Sequence, residues 1–140
     1  MFRIALANLH FPASPEESVE LAEKAIRQAA GERADLICFP ECYVPGYRAP
    51  GKKIPLPDTA FLEHSSSRVA QAAARAKVAV VLGTERVDSG RLLVTALVID
   101  RDGIVLGFQD KVQIDPSEEL TYSQGCAGKF FKLVASNSAW

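Results

Sequence analysis

Leu36-Ile37-Cys38-Phe39-Pro40-Glu41 is the stretch on which the fold turns. An unbroken apolar run, without the alternation of a half-solvated strand, predicts a β-strand buried on both faces of a mostly parallel sheet. Pro40 ends it abruptly, since proline brings no N–H to a ladder. Glu41 therefore falls at the carboxyl end of a strand, the edge along which open α/β sheets bind ligands. Residues 42–58 hold Pro45, Pro50, Pro55 and Pro57 together with Gly46 and Gly51. That composition excludes regular elements and predicts a long, stiff loop above the strand end, a common place for a site.

Upstream, residues 3–9 read as a short apolar strand. Ser14 then opens a helix: its hydroxyl is a cap, Pro15 occupies the first helical position, and Glu17 completes a Ser-x-x-Glu capping box. Val19, Ala22, Ile26 and Ala29 recur at helical spacing, and Gly31 is placed to terminate the helix. Downstream, a second helix lies between residues 58 and 76, with Phe61, Leu62, Val69, Ala72, Ala73 and Ala76 as its apolar side. Residues 78–83 form another buried strand. Residues 92–99, the Asp102-Gly103 turn and residues 104–108 predict a hairpin that delivers Gln109-Asp110-Lys111 at its end. Residues 115–119 read as a polar turn and residues 130–134 as a last short strand. The alternation of strands and helices is an α/β pattern.

Composition narrows the function. A length of 140 residues suits one domain, and the hydrophobic share of 48% against 24% charged is that of an ordered globular chain. A net charge of −1, with no basic run longer than Lys52-Lys53, argues against nucleic acid or an anionic membrane as partner. No signal peptide or membrane span is apparent, so a cytoplasmic protein acting on a small molecule or another chain is expected. Cys38, Cys42 and Cys126 are odd in number and read as free thiols. Neither the cysteines nor His10 and His64 show metal-ligand spacing, and no cofactor is expected. A nucleotide-binding domain is disfavoured because the glycine-rich phosphate motifs are missing.

Phe39-Pro40-Glu41-Cys42-Tyr43-Val44-Pro45-Gly46-Tyr47 resembles the first signature of the nitrilase superfamily of carbon–nitrogen hydrolases, in which a strand ends in Phe-Pro-Glu and a loop runs to Gly-Tyr. Asp102-Gly103 and the return to Lys111 resemble the hairpin that carries the family's lysine, although Gln109 and Asp110 stand where an aromatic residue and an arginine are usual. Glu119, followed by Tyr122 and Gly125, resembles a second glutamate of amidase-like members, with Glu118 its rival by one register step and Gln124 where proline is usual. The resemblance implies the N-terminal half of a four-layer αββα sandwich, with residues 1–140 one truncated domain, and association into homo-oligomers. It also implies a reaction on a small-molecule amide or nitrile, in which a cysteine thiolate attacks carbon and water hydrolyses the covalent intermediate. A free thiol is mostly protonated at neutral pH, so Glu41 would act as general base. Lys111 would offset the negative charge that develops on oxygen or nitrogen, and Glu119 would orient Lys111. Tyr43, Tyr47 and Arg48 would line the pocket.

The family's cysteine lies well past the lysine, in a Gly-Val-x-x-Cys segment, and that position falls at or beyond Trp140. Residues 135–140 offer neither the strand nor a cysteine. Cys38 lies mid-strand, Cys42 diverges from its neighbour Glu41, and Cys126 sits in a loop with nothing to lower its pKa. An isolated chain without turnover, with apolar sheet surface left uncovered, is the expectation. The alternative is a non-catalytic interaction or ligand-binding module derived from the same fold.

Overall fold

A computed structural model describes residues 1–134. The expectation for residues 135–140 lies outside them. Five strands form a single sheet in the order β1 (Ile4–Leu6), β2 (Leu36–Cys38), β3 (Ala79–Asp88), β4 (Arg91–Ile99) and β5 (Val105–Asp110). β1, β2 and β3 are parallel, whereas β3, β4 and β5 run antiparallel as a meander. The sheet is mixed.

Helix α1 (Pro15–Gly31) starts as its sequence requires. Ser14 Oγ accepts from the Glu17 N–H at 3.1 Å. The Glu17 carboxylate reaches back to the Ala13 N–H, one residue before the cap. Its end differs from expectation. The left-handed position falls on Arg33, with φ 57°, and not on Gly31, because the Ala34 and Arg33 N–H groups fold back onto the Ala29 and Ala30 carbonyls. Helix α2 (Thr59–Ala76) is capped by Asp58, whose carboxylate accepts from the Phe61 N–H at 3.2 Å. Both helices cover one face of the sheet. Val19, Ala22, Ile26, Val69 and Ala73 meet Ile37, Val80, Leu82, Leu97 and Ile99 in a single core, and the register sets Val80 opposite Ile99 and Leu82 opposite Leu97.

Three further expectations are corrected. The strand foreseen over residues 3–9 is only three residues long. The one foreseen over residues 78–83 runs on to Asp88 and pairs with β4 through Ser89-Gly90, where φ values of 52° and 76° make the tight turn that suits the strand twist. No strand forms over residues 130–134. The Lys129 N–H is taken by the Gln109 side chain rather than by a ladder carbonyl, and Phe130 and Val134 are exposed.

The second face of the sheet is covered unevenly. Towards β4, residues from the loop and turn segments, Cys42, Tyr122 and Tyr47, pack with Val94. Towards β1 it is barer: Ile4 is 58% and Leu6 77% exposed, and half-buried Cys38 and Val81 continue the Leu6 row. Among the described residues, no helix is long and apolar enough to cross a membrane.

Candidate active site

Glu41 owes its place to a glycine on the neighbouring strand. After β2, the Phe39 N–H still donates to the Val81 carbonyl, and the chain then rises over β3 and rejoins it where the Val44 N–H donates to the Gly83 carbonyl and the Glu85 N–H to that of Val44. The crossing is tight. A Cβ on Gly83 would lie 1.8 Å from the Pro40 carbonyl oxygen and 2.9 Å from the Glu41 Cα, so only glycine leaves room.

Lys111 lies one residue past β5, and its N–H extends the ladder to the Val94 carbonyl at 2.8 Å. Its own carbonyl accepts from the Gly125 N–H at 2.9 Å, another close approach, since a Cβ on Gly125 would meet the Asp110 Cβ at 2.6 Å. The side chain runs to the carboxyl end of β2. There Nζ is 2.8 Å from Glu41 Oε1, and 3.1 and 2.8 Å from the two oxygens of Glu118.

The second glutamate brought to the lysine is thus Glu118. Glu119 is exposed, and among the described residues it has no bond to Lys111. The register follows from the turn. The Asp115 carboxylate accepts from the Ser117 N–H and hydroxyl, and the Glu118 carboxylate reaches back to the Asp115 N–H at 3.0 Å. Asp115-x-x-Glu118 has the reciprocal spacing of a capping box, a signal present in the sequence. Glu118 also accepts from the Tyr47 hydroxyl at 2.8 Å.

The two carboxylates differ in setting. The Glu118 side chain is 5% exposed and that of Glu41 44%, so one is enclosed and the other open. Burial alone would raise the Glu118 pKa. The bonds from Lys111, Tyr47 and the Asp115 N–H outweigh it and hold the group below its ordinary value. The hydrogen bonds to Glu118 and Glu41 raise the Lys111 pKa, which keeps it an ammonium. Tyr47 is pushed up to about 12, chiefly because its proton is bonded to Glu118. Glu41 faces an open cleft of about 300 Å³, lined also by His10, Phe11, Pro40, Tyr43 and Tyr47. Tyr43 presents its ring there, while its hydroxyl is committed to the His10 carbonyl at 3.3 Å.

Arg48, foreseen as a pocket residue, instead makes a two-pronged ion pair with Glu85 at 2.7 and 3.0 Å. Tyr122 donates to the same carboxylate at 2.7 Å. Sequence reading did not single out Glu85, which lies between Thr84 and Arg86 in the polar second half of β3. Among those polar neighbours, its charge gave no signal of burial.

The cysteines are placed unequally. Cys42 is fully buried with its thiol against the Thr84 carbonyl, and burial followed by the nearby Glu85 charge pushes its pKa up to about 12. Burial and that charge both favour the protonated thiol over the thiolate. Cys38 is half-buried, with burial raising its pKa, and Cys126 is exposed. Among the described residues, no group of three histidine, cysteine, aspartate or glutamate side chains is set to hold a metal ion.

Comparison with known proteins adds the context. The family model for carbon-nitrogen hydrolase matches residues 3–136. An arylacetonitrilase from Aspergillus niger is 30% identical over 127 residues, covering 84% of this chain and 38% of its own length. An aliphatic nitrilase from Rhodococcus rhodochrous is 29% identical over 122 residues, which cover 78% of this chain and 33% of that enzyme. Among solved structures, an amidase from Nesterenkonia sp. superposes with a TM-score of 0.78 at 26% identity, covering 90% of this chain and 49% of that one. The chain therefore spans between a third and two fifths of those nitrilases and about half of the solved amidase.

Proposed function

This chain belongs to the carbon–nitrogen hydrolase family, and from that membership we propose that it carries the non-nucleophilic part of a cysteine-dependent site for nitriles or amides. The observation behind the reading is the Lys111 ammonium held between two carboxylates, one open to a cleft and one enclosed. The described residues supply one layer of sheet and one of helices from a single αββα domain, and the attacking thiol comes from outside them.

The roles follow from the settings. Glu41, the open carboxylate, takes the proton from the thiol, and sulfur bonds to the substrate carbon. The oxygen of an amide, or the nitrogen of a nitrile, gains the negative charge, which Lys111 offsets. With an amide, the C–N bond then breaks and ammonia leaves with the proton that Glu41 returns, giving a thioester. With a nitrile, the first product is a thioimidate, which one water converts to the thioester with loss of ammonia, and on both paths a further water hydrolyses the thioester to the acid and frees the thiol. Glu41 deprotonates that water. Glu118 has no room for substrate and instead keeps Lys111 charged and aimed. Homo-oligomers belong to the same reading, supported by the exposed apolar side chains of Ile4 and Leu6.

Ammonia release from small aliphatic and arylacetic nitriles and amides tests this. The 140-residue chain is expected to release none. In any preparation that does turn over, Glu41→Gln is expected to lower kcat by about 10²–10⁴-fold and Lys111→Ala by about 10²–10³-fold. Turnover by the 140-residue chain that persists after Cys38, Cys42 and Cys126 are all replaced by alanine would end the cysteine mechanism. Turnover that disappears with Cys126→Ala alone would assign the nucleophile to this chain.

A further inference from the structure

We infer that Glu85 is a positioning residue for this site, a buried carboxylate that ties the loop carrying Glu41 and Tyr47 to the turn carrying Glu118. The inference rests on the reading of Glu41, Lys111 and Glu118 as catalytic machinery.

Glu85 is 2% exposed on β3, on the sheet face it shares with Val81, Gly83 and Val94. A buried ion pair in such surroundings adds little stability over apolar residues of the same volume, so stability alone does not explain it. Its bonds have a common feature. The Glu85 N–H donates to the Val44 carbonyl at 3.2 Å, three residues beyond Glu41. The carboxylate grips the Arg48 guanidinium with two prongs, and Arg48 follows Tyr47, the donor to Glu118. The Arg48 Nη1 also donates to the carbonyls of Ile54 and Pro55 at 3.2 and 2.7 Å, which closes the proline-rich loop on itself. The third partner is Tyr122, whose N–H donates to the Glu118 carbonyl at 2.8 Å in the turn that presents that glutamate.

One carboxylate thus receives a bond from each wall of the site. Lys111, coming from β5, meets two glutamates that arrive on separate loops, and neither loop contains a regular element to hold it. Glu85 stands on the rigid strand between them. Only an arginine at position 48 supplies the planar fork together with the donor to the two loop carbonyls, a geometry that lysine does not reproduce.

The test uses the 140-residue chain and a readout that overall stability does not move: the pH profile of Lys111 acylation by a pulse of acetic anhydride. Peptide mass spectrometry gives the rate, with Lys77 as internal reference, and circular dichroism identifies conditions where each variant is folded. Glu85→Gln is expected to shift the Lys111 profile to lower pH, so that acylation at fixed pH rises about tenfold, the equivalent of one pKa unit. Should Glu85→Gln fail to fold, Tyr122→Phe and Arg48→Lys remove single bonds from the same network and carry the same expectation. Folded variants with a lower melting temperature but a wild-type Lys111 profile would overturn the inference. Glu41→Gln and Glu118→Gln separate the two levels. If both leave the profile unchanged, the catalytic reading falls and the positioning inference with it. If they shift the profile and the Glu85, Tyr122 and Arg48 variants do not, only the positioning inference is lost.

Discussion

Gly83→Ala offers the sharpest perturbation of the site from outside it. The added Cβ would stand 1.8 Å from the Pro40 carbonyl oxygen and 2.9 Å from the Glu41 Cα, whereas ordinary contact begins at 3.4 Å. Backbone cannot rotate aside as a side chain does, so the Pro40-Glu41 segment must retreat by about 1.5 Å, an overpacking that costs about 1–3 kcal/mol. For a domain of this size that is a drop in melting temperature of about 3–10 °C. The displacement also carries Glu41 away from Lys111, which it now holds at 2.8 Å. Thermal denaturation and the acylation profile of Lys111 therefore report the same event, the first losing degrees and the second moving to lower pH. Gly31→Ala is the matched control. It lies in the last turn of α1 with nothing within 4 Å of an added Cβ, so it should be neutral or stabilise by up to about 1 kcal/mol. A Gly83→Ala protein melting within about a degree of wild type with an unaltered Lys111 profile would refute the crossing geometry and the dependence of Glu41 on it.

Other expectations concern titration and reactivity. Glu118 titrates below its ordinary value of 4.5, so its contribution to stability is present above that pH and lost as the pH falls through the folded value. Lys111 titrates above 10.5, so its contribution is present below that pH and lost as the pH rises through the folded value. Glu118→Gln should therefore flatten both limbs of a plot of denaturant midpoint against pH, and superimposable acid limbs would contradict the pairing. Tyr43, Tyr47 and Tyr122 are all raised above 10, so ultraviolet titration should show no tyrosine ionising at its ordinary value while the chain is folded. In Glu118→Gln, the Tyr47 step, near 12 in the wild type, should move down. With a thiol reagent at neutral pH, Cys126 should be labelled first and Cys38 more slowly. Cys42 should be labelled only on unfolding, and its early modification would show that the loop opens.

Much of this was legible in the residues, and the reasons differ along the chain. The run from Leu36 to Phe39 and the Ser14-x-x-Glu17 box are local signals whose physics is complete within a few residues, and both elements stand where expected. The β3–β4 hairpin was missed although Ser89-Gly90 marks it. Gly83 and the polar run Thr84-Glu85-Arg86 made the strand look finished at residue 83. Glu41 and Lys111 were singled out by the resemblance together with their places at a strand end and a hairpin end, and the structure sets them 2.8 Å apart across 70 residues of chain. Glu118 was displaced by one position because its register is set by a turn, where no periodicity tells inward from outward. Arg48 and Glu85 are a pair 37 residues apart that neither partner's neighbourhood announces.

The antiparallel meander from β3 to β5 also sets an order of assembly. Its strands are joined by short turns, so its pairing closes little chain, whereas β1 and β2 must wait for long helical crossovers. The lysine is thus attached to the part of the sheet that can form first, and Glu41 arrives only when the crossover strand and the proline-rich loop settle over Gly83. Pulsed hydrogen exchange should find β4 and β5 amides protected before those of Phe39 and Val44. Protection in that order would mean that the charged site closes last, with Lys111 holding at most one of its two counter-ions until then.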